Sequence, residues 1–125
     1  MTRTYELVVG TRDLDGGHVD NSIVPAYVGD ARDRFIRDTV DRSPGYGVPV
    51  VRLELDYCAE LHAGDRVSAT VGIVEVGTTS FTTETELTAG GELAAEARTV
   101  QVVTHPETGD VIEIPDDWRA ALERS

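Results

Sequence analysis

The sequence predicts an α+β fold in which one antiparallel sheet wraps around a single long helix. Apolar residues recur at helical spacing from Val24 to Phe35, and from Val51 onward they alternate with polar residues. Such a sheet must bury one face, and the early helix is the only sizeable helix available to cover it. No linker or internal repeat interrupts the pattern, so residues 1–125 are predicted to form one domain.

The first part of the chain is predicted to contain a strand, a turn and the long helix. Residues 5–9 favour the strand. The helix is expected from about residue 22 to about residue 40, with the side chain of Asn21 or Ser22 as its N-cap. Pro25 is tolerated because it falls in the first turn, where its missing N–H would have no helical partner.

The rest of the chain is predicted to supply four antiparallel strands and a short last helix. Alternation of apolar and polar residues places the strands at residues 51–57, 67–73, 81–87 and 93–103. A hairpin turn is expected at residues 89–91 and another turn at 106–110. The last helix is expected to start at Asp116 or Asp117, which would cap it, and to run through Leu122.

The charge of the chain is strongly negative. Twenty-three acidic residues stand against 11 basic ones, for a formal net charge of −12, and every basic residue is Arg. A field of that sign repels phosphate backbones, so nucleic-acid binding is excluded as a function. An acidic surface without Lys predicts a salt-in halophile, in particular a halophilic archaeon, because high ionic strength screens the self-repulsion. A GC-rich genome would also favour Arg over Lys, but it does not explain the acid excess.

Several classes of protein and site are disfavoured by what the sequence contains. Cys58 is the only cysteine, so no intrachain disulfide is expected; we predict that it packs at a strand end and is not a nucleophile. No apolar run approaches a membrane span and residues 1–4 do not resemble a signal peptide, which predicts a cytoplasmic protein that binds no membrane. The His and Asp residues do not fall at zinc-ligand spacings, and no metal is predicted.

The stretch from residue 12 to residue 21 concentrates the residues that could carry chemistry. Asp13 and Asp15 lie one residue apart after the first strand, and Gly16 and Gly17 permit a turn with positive φ before the helix begins. This arrangement aims a carboxylate at the helix N-terminus, where free backbone N–H groups can hold an oxyanion. The alternative reading is a solvated acidic turn, since Asp and Gly are common turn residues.

These residues resemble the signature of hotdog-fold acyl-CoA thioesterases, in particular those of the 4-hydroxybenzoyl-CoA thioesterase type. The similarity covers nearly the whole chain in order, and it rests on Asp13-Leu14-Asp15, Gly17-His18-Val19-Asp20-Asn21, Tyr27, Asp30-Ala31-Arg32, Leu55-Asp56-Tyr57, Gly64-Asp65-Arg66-Val67, Val76-Gly77-Thr78-Thr79-Ser80-Phe81 and Ile114-Pro115. Three positions depart from the family pattern. Only Gly16 separates the second Asp from the Gly, Asp20 replaces the first of two Asn, and Val24 replaces an aromatic residue.

The resemblance implies hydrolysis of an acyl-CoA to a carboxylic acid and CoA, with no cofactor beyond the CoA of the substrate. Asp15 matches the catalytic carboxylate of the family, acting as nucleophile or as general base, and Asp13 is the alternative to it. The backbone N–H groups near Asn21 and Ser22 match those that polarise the thioester carbonyl. His18 is a candidate participant, although in similar sequences it mostly supports the turn.

The resemblance also implies substrate-binding residues and a second subunit. Gly17, Ser22, Tyr27, Thr79 and Ser80 match positions that line the site in this family. A homodimer or homotetramer is expected, because one helix cannot cover the sheet of a stable monomer.

Three other functions stay open at this point. The chain could be a non-catalytic hotdog protein that binds acyl-CoA or a small ligand, or a structural module valued for its oligomer. The spacing from Asp13 to His18 is also similar to that of hotdog hydratases, but the Asn and Pro of their motif are missing.

Overall fold

The computed structural model describes residues 2–10 and 13–125, and the side chain of Asp15 lies outside the described part. Its elements, in chain order, are β1 (Thr2–Val8), β2 (Leu14–Asp15), β3 (His18–Val19), α1 (Val24–Thr39), β4 (Val50–Tyr57), β5 (Arg66–Val76), β6 (Ser80–Ala89), β7 (Glu92–Thr104), β8 (Val111–Ile112) and α2 (Asp116–Arg124).

The main sheet is antiparallel, with the strand order β1-β5-β6-β7-β4. Sequential hairpins join β5, β6 and β7, and β8 adds a short pairing to the end of β7. The first strand, β1, lies on the outer side of β5, and β4 pairs with the opposite side of β7. The predicted α+β architecture is therefore confirmed, with β1 and β4 at the two edges of the sheet.

The core lies between one face of this sheet and the apolar stripe of α1. Val28, Ala31 and Phe35 are fully buried, as their helical spacing predicts. Alternate residues of β5, β6 and β7 point at this stripe, because side chains of a strand alternate between its faces. Trp118 of α2 closes one end of the core, and its Nε1 donates to the carbonyl oxygen of Asp41 at 2.8 Å.

The helix starts differ in detail from the sequence expectation. The N-cap of α1 is Ile23, and neither Asn21 nor Ser22 caps it with a side chain. Asp20 instead folds over the turn, where its Oδ1 accepts from both the N–H and the Oγ of Ser22. The N-cap of α2 is Pro115, so Asp116 lies in the first helical turn. There its negative charge interacts favourably with the helix dipole, but its side chain does not cap the helix.

The edge strand β4 exposes apolar side chains. Val51 and Leu53 are 59% and 41% exposed, and Tyr57 is 52% exposed. Within the described residues, β4 pairs with β7 on one side and has no strand on the other. An exposed apolar edge of this length is suited to pairing with another chain.

Neither described helix has both the length and the apolar character that a membrane crossing requires.

Candidate active site

Asp15 and His18 flank a two-residue hairpin turn between β2 and β3. They are Cα partners, and Gly16 and Gly17 between them have φ of 66° and 94°. Positive φ at both central residues is the requirement of a type I′ turn, which Gly meets without strain. The short spacing that departs from the family pattern therefore forms a tight hairpin in this chain.

The hairpin is fastened to its surroundings by backbone hydrogen bonds. Val19 N–H donates to the carbonyl oxygen of Leu61 at 2.8 Å, and Asp20 N–H donates to that of Asp13 at 3.2 Å. His18 forms an isolated bridge with His62 and is half-buried. These contacts hold Asp15 and His18 at the end of the molecule where α1 begins.

The carboxylate of Asp13 is engaged in two hydrogen bonds. Its Oδ2 accepts from the Tyr27 hydroxyl at 2.7 Å and from the Gly10 N–H at 3.3 Å. Burial raises the pKa of Tyr27, and the hydrogen bond and negative charge of Asp13 raise it further. Asp13 thus ties the loop after β1 to the first turns of α1, and the Tyr27 hydroxyl is occupied by this contact.

The predicted catalytic side chain of Asp15 lies outside the described residues. The backbone of Asp15 is described, and it belongs to β2 beside the turn. Its role therefore stays a prediction.

The two backbone N–H groups predicted to hold an oxyanion differ in availability. The N–H of Ser22 donates to Asp20 Oδ1 at 2.7 Å, so it is occupied. The N–H of Asn21 has no acceptor within the described residues. The hydrogen bonds from the Ser22 hydroxyl and N–H lower the pKa of Asp20, which keeps this carboxylate charged and the turn closed.

A cavity of about 210 Å³ opens beside the helix start. The residues that line it come from β3, the start of α1 and the segment after β4: Val19, Asn21, Val24, Tyr57, Cys58, Ala59, Glu60 and Leu61. The Tyr57 hydroxyl donates to the carbonyl oxygen of Asn21 at 2.8 Å and joins the end of β4 to the helix start.

Two residues of this cavity were not assigned by their sequence pattern. Tyr57 lies in the resemblance, but strand alternation gives no signal for a hydroxyl that reaches a helix start 36 residues earlier. Cys58 is exposed, so the prediction that it packs is wrong. It follows the edge strand β4, most of whose residues are exposed.

Thr79 and Ser80 are not brought to the helix start within one chain. Ser80 pairs with Val102, whereas Tyr57 pairs with Ala95, seven residues earlier on β7. At about 3.3 Å per residue this separation is roughly 23 Å. The two predicted substrate-binding residues therefore lie at the opposite end of the sheet from Asn21.

Among the side chains that the structure describes, which exclude that of Asp15, no group of three or more His, Cys, Asp or Glu is arranged to hold a metal ion.

Solved structures of known proteins share this fold. A predicted thioesterase from Bacillus stearothermophilus is 28% identical and has a TM-score of 0.89 over 99% of this chain and 96% of its own. A thioesterase from Thermus thermophilus, solved with coenzyme A and Zn, is 30% identical with a TM-score of 0.85 over 97% and 91%. A 1,4-dihydroxy-2-naphthoyl-CoA thioesterase from Synechocystis is 23% identical, with a TM-score of 0.85 over 98% and 96%, a likeness of fold alone.

The hotdog fold implied by the sequence resemblance is confirmed by these structures. No curated protein sequence matches the chain. Residues 9–122 match the thioesterase-like superfamily. Since that match spans nearly the whole chain and the Thermus enzyme is 30% identical over 97% of it, this protein belongs to the thioesterase-like superfamily and is a thioester hydrolase.

Proposed function

We propose that the protein hydrolyses acyl-CoA thioesters at the start of α1, with Asp15 as the catalytic carboxylate. The observation that carries the proposal is the position of the β2–β3 hairpin. In the hairpin, the Asp15 backbone lies at the same end of the molecule as the Asn21 N–H, which has no acceptor among the described residues, and the cavity beside Tyr57. A carboxylate, an oxyanion donor and space for an acyl-CoA are the parts that thioester hydrolysis requires.

The reaction has two forms that this arrangement accommodates. As general base, Asp15 takes a proton from water, the hydroxide adds to the thioester carbonyl, and the CoA thiolate leaves and is protonated. As nucleophile, Asp15 displaces the thiolate and forms a mixed anhydride, which water then cleaves to the acid. In both forms the N–H of Asn21 stabilises the oxyanion that develops on the carbonyl oxygen.

Asp13 is less suited to this role than Asp15. Its Oδ2 already accepts from Tyr27 and Gly10, and these contacts secure the loop. A carboxylate that must attack or deprotonate would have to give up such contacts in each turnover. Asp13 is therefore assigned to positioning.

The proposed substrate is an acyl-CoA, and no cofactor is required besides the CoA that the substrate carries. The Thermus relative was solved with coenzyme A, and a Staphylococcus aureus protein of the same fold was also solved with CoA. The structure from Synechocystis is that of an aromatic acyl-CoA thioesterase. The Thermus relative, at 30% identity, supports CoA esters as the substrate class without selecting the acyl group, whereas the other two proteins share the fold alone.

A second copy would complete the proposed site, in a homodimer or in a homotetramer built from it. Antiparallel pairing of two β4 edges sets the Tyr57 end of one strand beside the Val50 end of the other. Val50 pairs with Gln101, and Ser80 pairs with the next residue of β7. Thr79 and Ser80 of the second copy would then approach the Asn21 end of the first, which explains why one chain keeps them apart.

The test is hydrolysis of a panel of acyl-CoAs in molar KCl, followed with a thiol-detecting dye. We expect Asp15→Asn to lower kcat by at least about 100-fold, because it removes the charge while keeping the shape. Asp13→Asn serves as the matched control and should cost much less, since an amide oxygen still accepts from Tyr27. If Asp13→Asn is the inactive variant, the assignment of Asp15 is wrong.

The same panel separates catalysis from binding alone. A protein that CoA esters stabilise against heat but that releases no thiol would be a binding protein, and the proposal would fail. If CoA esters neither stabilise the protein nor are hydrolysed, the remaining function is a structural one.

A further inference from the structure

Arg32 holds a charge that is half-buried and lacks a carboxylate partner in the described part of the chain. Its guanidinium Nη1 donates to Thr99 Oγ1 at 3.3 Å. The neighbouring Asp33 gives its carboxylate to Arg37 at 2.8 Å and to Arg42 at 3.5 Å. Burial lowers the pKa of Arg32, but guanidinium remains charged at any physiological pH. A half-buried guanidinium without a carboxylate partner has N–H donors free for an anionic ligand.

The surroundings of Arg32 are polar on the side of the sheet. Thr83 is the β6 partner of Thr99, and both residues are buried. The hydroxyl of Thr83, that of Thr85 and the Oε1 of Gln101 are buried with no hydrogen-bond partner among the described residues. Buried polar atoms are normally satisfied, and the two open hydroxyls can donate to an acceptor that the described chain does not supply.

A glycine of α1 lies next to the guanidinium of Arg32. Gly29 lies in the interior of α1, where Gly costs about 1 kcal/mol relative to Ala. A Cβ built on Gly29 would meet only the Nη2 of Arg32, at 3.5 Å. A Cβ at that distance would make an ordinary contact with the guanidinium, so the glycine leaves this side of Arg32 uncovered but is not required by the packing.

Leu53 and Tyr57 of β4 lie between this position and the proposed active site, and we call the surface between these two residues and α1 the strip. At one end the Tyr57 hydroxyl contacts Asn21, and at the other Leu53 is the β4 partner of Thr99, which holds Arg32. Directly paired residues face the same side of a sheet, so Leu53 lies on the same face as Thr99, which is the face toward α1. Tyr57, four residues later on β4, lies on that face as well. The eight residue steps of α1 from Val24 to Arg32 cover about 12 Å, and the four steps of β4 from Leu53 to Tyr57 cover about 13 Å.

We propose that the acyl group of the substrate lies along this strip and that Arg32 with Thr99 binds a carboxylate at its far end. This rests on the thioesterase function proposed above and names its substrate class: CoA monothioesters of dicarboxylic acids. Helical side chains tilt toward the N-terminus, which shortens the distance that the acyl group must cover. With carbon–carbon bonds of about 1.5 Å, an acyl chain of about eight carbons fits.

The experiment compares octanedioyl-CoA with octanoyl-CoA, which differ by the distal carboxylate. We expect the wild type to favour octanedioyl-CoA by at least about tenfold in kcat/KM, the effect of one hydrogen-bonded charge pair. Arg32→Met should lower this preference at least about tenfold, and Arg32→Lys should keep part of it. Arg37→Met is the matched control, because it removes an Arg from the solvent face of the same helix.

Several outcomes would overturn the proposal. A wild-type ratio at or below one would do so without any variant, and so would an unchanged ratio in a folded Arg32→Met. Equal losses on both substrates, together with a smaller species in sedimentation, would show that Arg32 pairs with a carboxylate of a second copy.

Equilibrium binding of the unreactive thioether analogues of the two esters separates this proposal from the proposed function. A binding preference for the dicarboxylic analogue that Arg32→Met removes supports the Arg32 site even if no thioester is hydrolysed. Hydrolysis of both esters with no such preference supports the thioesterase and refutes the Arg32 site.

Discussion

At the scale of single residues, the contact between Asp13 and Tyr27 distinguishes the two carboxylates of the motif. The hydroxyl of Tyr27 reaches Asp13 across 14 residues of chain and holds the loop that leads into the hairpin. The contact gives the first Asp of the pair a structural task. Phe could not replace Tyr27 in this role, because it has no hydroxyl to donate to Asp13.

We expect Tyr27→Phe to destabilise the fold and to make stability less dependent on alkaline pH. A hydrogen bond to a charged group contributes about 1.5–3 kcal/mol to the free energy of unfolding. Because Tyr27 and Asp13 are partly exposed, we expect the variant to lose about 1–2 kcal/mol. Because the pKa of Tyr27 is raised in the folded state, its contribution is full below the ordinary tyrosine value near pH 10 and is lost only above it.

Urea unfolding in molar KCl at pH 8 and at rising alkaline pH would measure this difference. Tyr46→Phe is the control, since the Tyr46 ring packs edge-on against Trp118 and would be kept. A Tyr27→Phe variant as stable as wild type at pH 8 would show that the Asp13 contact contributes nothing.

At the scale of elements, the β2–β3 hairpin sets the position of the proposed catalytic carboxylate. Its two strands are too short to show periodicity in the sequence, and the Gly-Gly pair alone signals the turn. The register follows from the turn, because a two-residue loop makes Asp15 and His18 direct partners.

We expect Gly17→Ala to destabilise the protein by about 1–2 kcal/mol and to lower activity more than stability alone explains. An L-residue is strained at φ of 94°, and relief of the strain would shift Asp15. Gly29→Ala makes the same chemical change at an ordinary helical position and should stabilise by up to about 1 kcal/mol. The melting temperatures of Gly17→Ala and Gly29→Ala measure the two effects. Equal shifts in the same direction would contradict the turn assigned to Gly17.

For the molecule as a whole, the exposed edge and the negative charge lead us to expect an association that requires salt. The β4 edge exposes Val51 and Leu53, and its pairing with a second copy would cover them. The chain also carries a formal net charge of −12, which opposes any approach of two copies in dilute buffer.

Sedimentation in molar KCl should show a dimer or a dimer of dimers. Val51→Lys, placed on the exposed edge, should shift the protein toward monomer and reduce hydrolysis, because Thr79 and Ser80 of the second copy would leave the site. A wild-type monomer that hydrolyses acyl-CoA would contradict the two-copy site.

Stability and affinity for CoA esters should both rise steeply from tens of millimolar to molar KCl. The Debye length falls from about 30 Å at 0.01 M to about 3 Å at 1 M, so repulsion among the acidic residues is screened. The phosphates of CoA meet the same acidic surface and benefit in the same way. Melting temperature and KM measured across this range test the halophile proposal. If neither changes with KCl concentration, the proposal is wrong and codon bias alone accounts for the absence of Lys.

The main elements of the fold are encoded in local sequence patterns. Helical spacing from Val24 to Phe35 and strand alternation from Val51 onward are properties of neighbouring residues, so the long helix and the main strands were predicted from them. The resemblance also identified the family, because its motifs lie in order along nearly the whole chain.

Which distant side chains meet depends on the packing of the whole chain. Tyr57 reaches Asn21 across 36 residues and Arg32 reaches Thr99 across 67, and no local pattern encodes either contact. The same is true of Thr79 and Ser80, which the fold sets at the far end of the sheet. Contacts between distant segments depend on the strand order and register of the whole sheet, whereas periodicity reports only whether each segment has one apolar face.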